Sequence, residues 1–220
     1  MVSLFILNVF YQYHNFNFTL KCIGSAIFAT LGLINLLFAL LRKEKNIIFY
    51  IIMAGGLIFA MLGDIIINSD FIIGAAVFAI GHIFFVIAYF FENKFHYLDL
   101  IISGTLSIAT TLIILFLPVL KFDEPILQIV CIIYGIIISF MLGKATSNFI
   151  NNRNTLHFFI MIASLLFFIS DAMLLLSWFS DLGGTGRKWL DNVCMGTYYP
   201  ALIFLAMSLY LKMYPITIKK

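Results

Sequence analysis

Charge is scarce in this sequence. Asp, Glu, Lys and Arg make up 10% of its 220 residues, against about 25% in soluble domains. That excludes a soluble globular chain. A net charge of only +3 also excludes an extended basic face for nucleic acid. Cysteine is scarcer still. Cys22, Cys131 and Cys194 stand far apart in mostly apolar surroundings. They fit neither a disulfide framework nor a Cys-x-x-Cys metal site, and read as small buried hydrophobes. The four histidines (His14, His82, His96 and His157) are scattered, and only His82 lies deep in an apolar run. No metal site and no organic cofactor is expected. There is no Gly-x-Ser-x-Gly elbow for a serine nucleophile. The first residues lack a basic n-region and a small-residue cleavage site, so no signal peptide is expected. No stretch is long or polar enough for a separate soluble domain, so residues 1–220 read as a single integral membrane domain without internal repeats.

Apolar sequence fills the space that charge leaves. Hydrophobic residues are 63% of the chain, and the mean hydropathy is +1.10. A bilayer core of about 30 Å takes roughly 20 apolar residues per helix. The runs predict seven clear spans: 21–41, 46–68, 71–91, 97–120, 126–143, 156–179 and 193–214. A shorter apolar stretch, residues 2–18, adds an eighth span or an interfacial segment. The fold class is therefore all-α, a polytopic membrane helix bundle of eight spans. Between the runs lie a tight turn at Ser69-Asp70, a turn ending in Pro125 at the first turn of the next helix, a polar loop over 144–154 and a Gly-rich loop over 180–191. Arg42, Lys43, Lys45, Lys94, Lys144, Arg153, Lys212, Lys219 and Lys220 fall on one side. Only Lys21, Lys121, Arg187 and Lys188 fall on the other. The richer side, with the C-terminus, is expected to be cytoplasmic, in the plasma membrane.

Against that background a few polar residues stand out. Asp64 and His82 lie in adjacent spans that form a hairpin around Ser69-Asp70, and Asp171 lies in a third. A charge at the bilayer centre costs about 2.5–3.5 kcal/mol or more, so such residues have partners, a water cavity or a task. Counted from the non-cytoplasmic ends, Asp64 lies roughly 6 Å deep, Asp171 roughly 13 Å and His82 roughly 16 Å at the helical rise. Tyr198 and Tyr199 fall at a similar level of the last span. Gly56, Ala60 and Asp64 share one helical stripe, so small residues beside Asp64 turn it toward protein. The same stripe packs equally well within a subunit or in a homodimer. Gly74, Phe78 and His82 repeat that spacing. Ser164, Phe167, Asp171 and Trp178 share a face and suggest an aromatic-walled cavity with a few polar groups. Two carboxylates in a medium of low dielectric divide their roles, one holding a proton while the other ionises. Such a pair protonates a substrate and activates water, as in cleavage through an oxocarbenium ion. Three bland alternatives stand beside this: interhelical hydrogen bonding for the aspartates and His82, interfacial placement for the tyrosines, and snorkelling for Lys21. Asp99 and Glu92 read as span-end residues.

The same residues carry a resemblance. Gly63-Asp64 followed by Phe71, Gly74, Phe78 and His82 is one block. Ser170-Asp171-x-x-Leu174 ending in Phe179 is a second, and Thr197-Tyr198-Tyr199-x-Ala201 a third, with Lys21 opening its span. In this pattern the chain resembles the lysoplasmalogenase (YhhN-like) membrane proteins. It departs from them at Cys22, where a proline is usual, at Phe85, where a tyrosine is usual, and at Leu202, where a glutamine is usual. The resemblance implies an eight-helix enzyme that hydrolyses the vinyl ether bond of lysoplasmalogens to a fatty aldehyde and a glycerophospho-base. It needs no cofactor; its partners are a lysophospholipid substrate and membrane lipids, not nucleic acid. Asp64 and Asp171 would share the acid and base roles, and His82 would orient an aspartate or the water. Tyr198 and Tyr199 would donate to ether or phosphate oxygens, and Lys21 would meet the phosphate. Ser170, beside Asp171, is the only candidate nucleophile for an ester-cleaving alternative, and adjacent residues on a helix do not face each other. A proton-coupled transporter or lipid-binding protein, in which the same aspartates titrate without cleaving anything, is the alternative from another class; it predicts a broken helix or an inverted repeat.

Overall fold

The computed structural model describes residues 18–215. Seven helices account for nearly all of them: α1 Phe18–Leu41, α2 Ile47–Ile66, α3 Phe71–Glu92, α4 Tyr97–Phe116, α5 Pro125–Asn151, α6 Thr155–Phe179 and α7 Gly184–Met213. Each is long and apolar enough to cross a membrane, so the protein is an integral membrane helix bundle. The short N-terminal span expected over residues 2–18 lies outside the described residues, apart from Phe18. The end of the bundle carrying the α2–α3 turn is called the hairpin end, and the opposite end the basic end.

Helix boundaries follow local chemistry. At the hairpin turn the Asp70 carboxylate accepts from the Ile73 backbone N–H at 2.9 Å and caps α3, which satisfies one of the donors a helix start leaves open. Gly74 makes the turn tight: a Cβ there would stand 2.5 Å from the Ile67 Cα. Pro125 occupies the first turn of α5 as expected. The Leu117 backbone is extended before Pro118, which ends α4.

The helix contacts run in a closed cycle, α1–α2–α3–α5–α6–α7 and back to α1, with α7 also touching α2. Helix α4 stands outside this ring, and among the described helices its backbone approaches only α5. Of its residues only Asp99, Ser103 and Ile114 are buried; Leu100, Ile101, Ile108 and Phe116 face outward. The α4–α5 seam is close because its residues are small. A Cβ on Gly143 would fall 2.7 Å from the Ser103 backbone, and Thr110 and Ser139 pair their hydroxyls at 3.3 Å, the small-residue packing typical of membrane helices.

Two expectations are corrected here. Helix α5 continues through the segment expected to be a polar loop, and α7 begins nine residues before the expected span. In α5 the polar residues face other helices. The Lys144 ammonium lies 2.8 Å from the Asp99 carboxylate, both almost fully buried, and Asn148 donates to the Tyr89 carbonyl at 2.9 Å. Asp99 and Glu92 stand at span ends as expected, Asp99 in the first turn of α4 and Glu92 as the last residue of α3, and each has a lysine partner there. Glu92 is partly buried and meets Lys212 of α7 at 2.8 Å.

Candidate active site

The polar residues of the hairpin-end half gather into two centres. The first joins α1 and α2. Asp64 is 2% exposed, and its carboxylate meets the Lys21 ammonium at 2.9 Å and accepts a short hydrogen bond from the Ser25 hydroxyl. Asn68, one turn beyond, accepts from Lys21 at 3.4 Å and donates to the Asp64 backbone carbonyl at 3.3 Å. Tyr199 donates to the Lys21 carbonyl at 3.3 Å. Lys21 is therefore a buried ion partner (5% exposed), and the snorkelling alternative is overturned.

The second centre joins α3, α5 and α6. The Tyr134 phenol donates to Asp171 Oδ2 at 2.5 Å. His82 Nε2 lies 2.7 Å from the Tyr134 oxygen and 3.3 Å from Asp171 Oδ2. With the phenol proton committed to the carboxylate, Nε2 is the nitrogen that carries hydrogen and donates to both oxygens. Nδ1 is buried and has no hydrogen-bond partner among the described residues. The Phe167 ring stands edge-on to His82, centroids 4.6 Å apart, and holds the imidazole in place. Asp171 has no lysine or arginine partner among the described residues; each hydrogen bond to it comes from Tyr134 or His82.

A cavity of about 170 Å³ opens onto this second centre. Asp171 and Tyr134 are members of an otherwise mostly apolar lining that includes Phe78, Ile114, Cys131 and Leu175. Asp64, Lys21 and His82 do not line it. Tyr198 stands beside both centres. Its ring packs edge-on against Phe167 at 5.4 Å and Phe78 at 6.1 Å.

The structure thus separates residues that the sequence placed in one group. His82 lies with Asp171, not with its hairpin neighbour Asp64. The Tyr198 and Tyr199 hydroxyls point at the backbone carbonyls of Ala60 and Lys21, and neither residue lines the cavity. Ser170 is buried and pairs with the Cys194 thiol at 3.4 Å. Ser164 pairs with Tyr89 at 3.1 Å, and Trp178 packs on Phe71 at 5.0 Å. Tyr134, Ser25 and Asn68 complete the two centres and had no role assigned. Tyr134 carried a usable signal: it lies nine residues inside α5 from the hairpin end, roughly 13 Å deep, level with Asp171. No group of three His, Cys, Asp or Glu side chains among the described residues converges to hold a metal ion.

Comparison with known proteins gives one match. The model of the YhhN family matches residues 24–209, a segment that holds every residue of the two centres except Lys21. No curated protein and no solved structure matches the chain.

Proposed function

We infer the function from one premise: the chain belongs to the YhhN family, the family that includes lysoplasmalogenases. On that premise we propose that the protein hydrolyses the vinyl ether bond of a lysoplasmalogen, with Asp171 as the group that handles the protons. The observation that carries this reading is the position of Asp171: a carboxyl held by a phenol and an imidazole in the wall of an apolar cavity inside a membrane bundle.

The chemistry balances with one carboxyl and one water. In its protonated form Asp171 gives its proton to the β-carbon of the vinyl ether, and the ether oxygen shares the resulting positive charge as an oxocarbenium ion. Water adds to the α-carbon and returns a proton to the Asp171 carboxylate. The hemiacetal so formed breaks its carbon–oxygen bond, releasing a fatty aldehyde and the glycerophospho-base alcohol. Acid and base are then one residue at successive steps, a division of labour in time. Tyr134 and His82 are positioning residues: both hold Oδ2 and leave the other oxygen free of them. A negative Asp171 also stabilises the neighbouring oxocarbenium ion electrostatically, most strongly where water is excluded.

Asp64 enters this mechanism indirectly. A carboxylate 2.9 Å from a buried ammonium is already neutralised, so its contribution is to fix α1 against α2 behind Tyr198. The carrier alternative gains no support, because each described helix is continuous and α7 runs on through Pro200.

The test is purified protein in mixed micelles with an alkenyl lysophosphoethanolamine, assayed for free aldehyde. Aldehyde release by the wild type and its loss in Asp171→Asn are expected. Full release by Asp171→Asn would overturn the mechanism. Acid from a lyso-ester without aldehyde would move the function to an esterase.

A further inference from the structure

The cavity at Asp171 has walls of unequal completeness. Helix α5 forms the back with Cys131, Tyr134 and Gly135, and α6 forms one side with Phe168, Asp171 and Leu175. The hairpin end is roofed. Phe71 packs on Phe179 at 5.1 Å, and Phe122 packs on Phe179 at 4.7 Å. The α4–α5 connection is tied to the end of α6 by the bridge between Leu120 and Ser180 and by the Lys121 N–H on the Phe179 carbonyl at 2.7 Å. That tie also closes the α4–α6 side at this end. The remaining side lies between α3 and α4. Both helices line the cavity, α3 with Ala75 and Phe78 and α4 with Ile113 and Ile114, yet no Cα of one comes within 8 Å of a Cα of the other. Ile113 lines the cavity and is also 53% exposed, so it stands on the rim of this gap.

We propose that the α3–α4 gap is a lateral portal through which one hydrocarbon chain of a membrane lipid reaches Asp171 directly from the bilayer. The exposed residues of the two helices at this level are apolar, with Ile72 and Ile73 on α3, Leu112 and Ile113 on α4 and Leu117 just beyond it. Such a surface faces lipid tails and not water. Size sets the occupant. An engineered apolar cavity of about 150 Å³ takes one benzene-sized molecule, and this one is about 170 Å³. It holds the first segment of one chain, next to the reacting bond, and has no room for a second chain alongside. The remainder of the chain must leave through the gap and stay among lipid tails. Helix α4 suits such an opening. It is fixed at the basic end by the Asp99–Lys144 pair and at the hairpin end by the Leu120 bridge, and along its middle its backbone approaches α5 alone among the described helices.

The portal rests on the hydrolase reading only for what happens at Asp171; the route is tested without turnover. The full chain is placed in vesicles of a two-chain phosphatidylcholine, in the Asp171→Asn form. A lysophosphatidylcholine with a photoreactive diazirine near the start of its chain is added, irradiated and mapped by mass spectrometry. Expected is label on cavity residues such as Ala75, Cys131 and Leu175, displaced by unlabelled lysophosphatidylcholine but not by the two-chain vesicle lipid. Ile113→Trp, a bulkier residue at an exposed rim position, should lose that label and keep the unfolding midpoint. Label confined to outward residues such as Leu100 and Ile108, or cavity label unchanged by Ile113→Trp, would overturn the portal. Cavity label with no aldehyde from the wild type would uphold the portal and sink the ether hydrolase. Aldehyde release without cavity label would do the reverse.

Discussion

Asp64 and Asp171 are the same residue in the same half of the same bundle, and their surroundings assign them different work. Asp64 is held by a lysine at 2.9 Å and by a serine, with both charged side chains under 7% exposed. Asp171 is held by a phenol and an imidazole and faces a cavity. A third carboxylate decides how to read the contrast. Asp99 sits 2.8 Å from Lys144, also deeply buried and also between helices. Asp64 follows that pattern: a charge closed by a charge, holding two helices in register. A carboxyl closed by a cation has little freedom to give or take a proton. One held by a phenol and an imidazole beside an open space has that freedom.

The sharpest way to break the comparison is to neutralise each aspartate. Asp171→Asn removes the proton carrier, and aldehyde release should fall about 10³-fold, the scale of general acid–base catalysis, with the unfolding midpoint unchanged. Similar activity loss in a folded Asp64→Asn variant would mean that the two carboxylates work as a pair. Next in size is Lys21→Met. It leaves Asp64 buried without its cation, which should cost about 3 kcal/mol of stability, since removing one partner of a buried pair is far worse than removing both. Lys21→Met combined with Asp64→Asn should recover much of that loss in denaturant unfolding in detergent. Equal losses from the single and the double variant would show that the pair carries little of the α1–α2 contact.

Much of this was legible in the sequence, and the limits have physical causes. The seven long apolar runs predict the seven helices because a bilayer sets span length. Asp64, His82 and Asp171 stand out because charge in hydrocarbon is costly. Partnership was not legible. His82 and Asp64 share a hairpin, so sequence proximity joined them, but the ring of helices puts α3 against α5 and turns His82 toward Tyr134 and Asp171. Tyr134 was passed over because a tyrosine among isoleucines reads as one more aromatic. The last turns of α5 were read as loop because Lys144 and Asn148 are polar. Their partners, Asp99 and the Tyr89 carbonyl, are 45 and 59 residues away, beyond any local pattern.

Tyr134 gives a smaller and more specific contrast. Tyr134→Phe keeps the ring and removes the donor to Asp171. A hydrogen bond to a charged group contributes about 1.5–3 kcal/mol, so turnover should fall about 10- to 100-fold. The effect belongs in kcat if the phenol positions the carboxyl, and in KM if it only shapes the cavity wall. Unchanged kcat would leave His82 as the residue that orients Asp171.

The smallest expected effect tests the boundary between the two centres. Tyr198 is a side chain placed between them, with its ring against Phe78 and Phe167 and its hydroxyl toward the Ala60 carbonyl, one turn before Asp64. Yet that contact is 3.5 Å long, at the limit of a hydrogen bond, and the residue does not line the cavity. Tyr198→Phe should therefore cost no more than about 1 kcal/mol in unfolding, the net value of an ordinary hydrogen bond, and leave aldehyde release close to wild type. A fall as large as that of Tyr134→Phe would mean that the hydroxyl relays a proton or a field between Asp64 and Asp171. The two centres would then be one site, and the ion pair at Asp64 would have to be read as part of the chemistry and not of the frame.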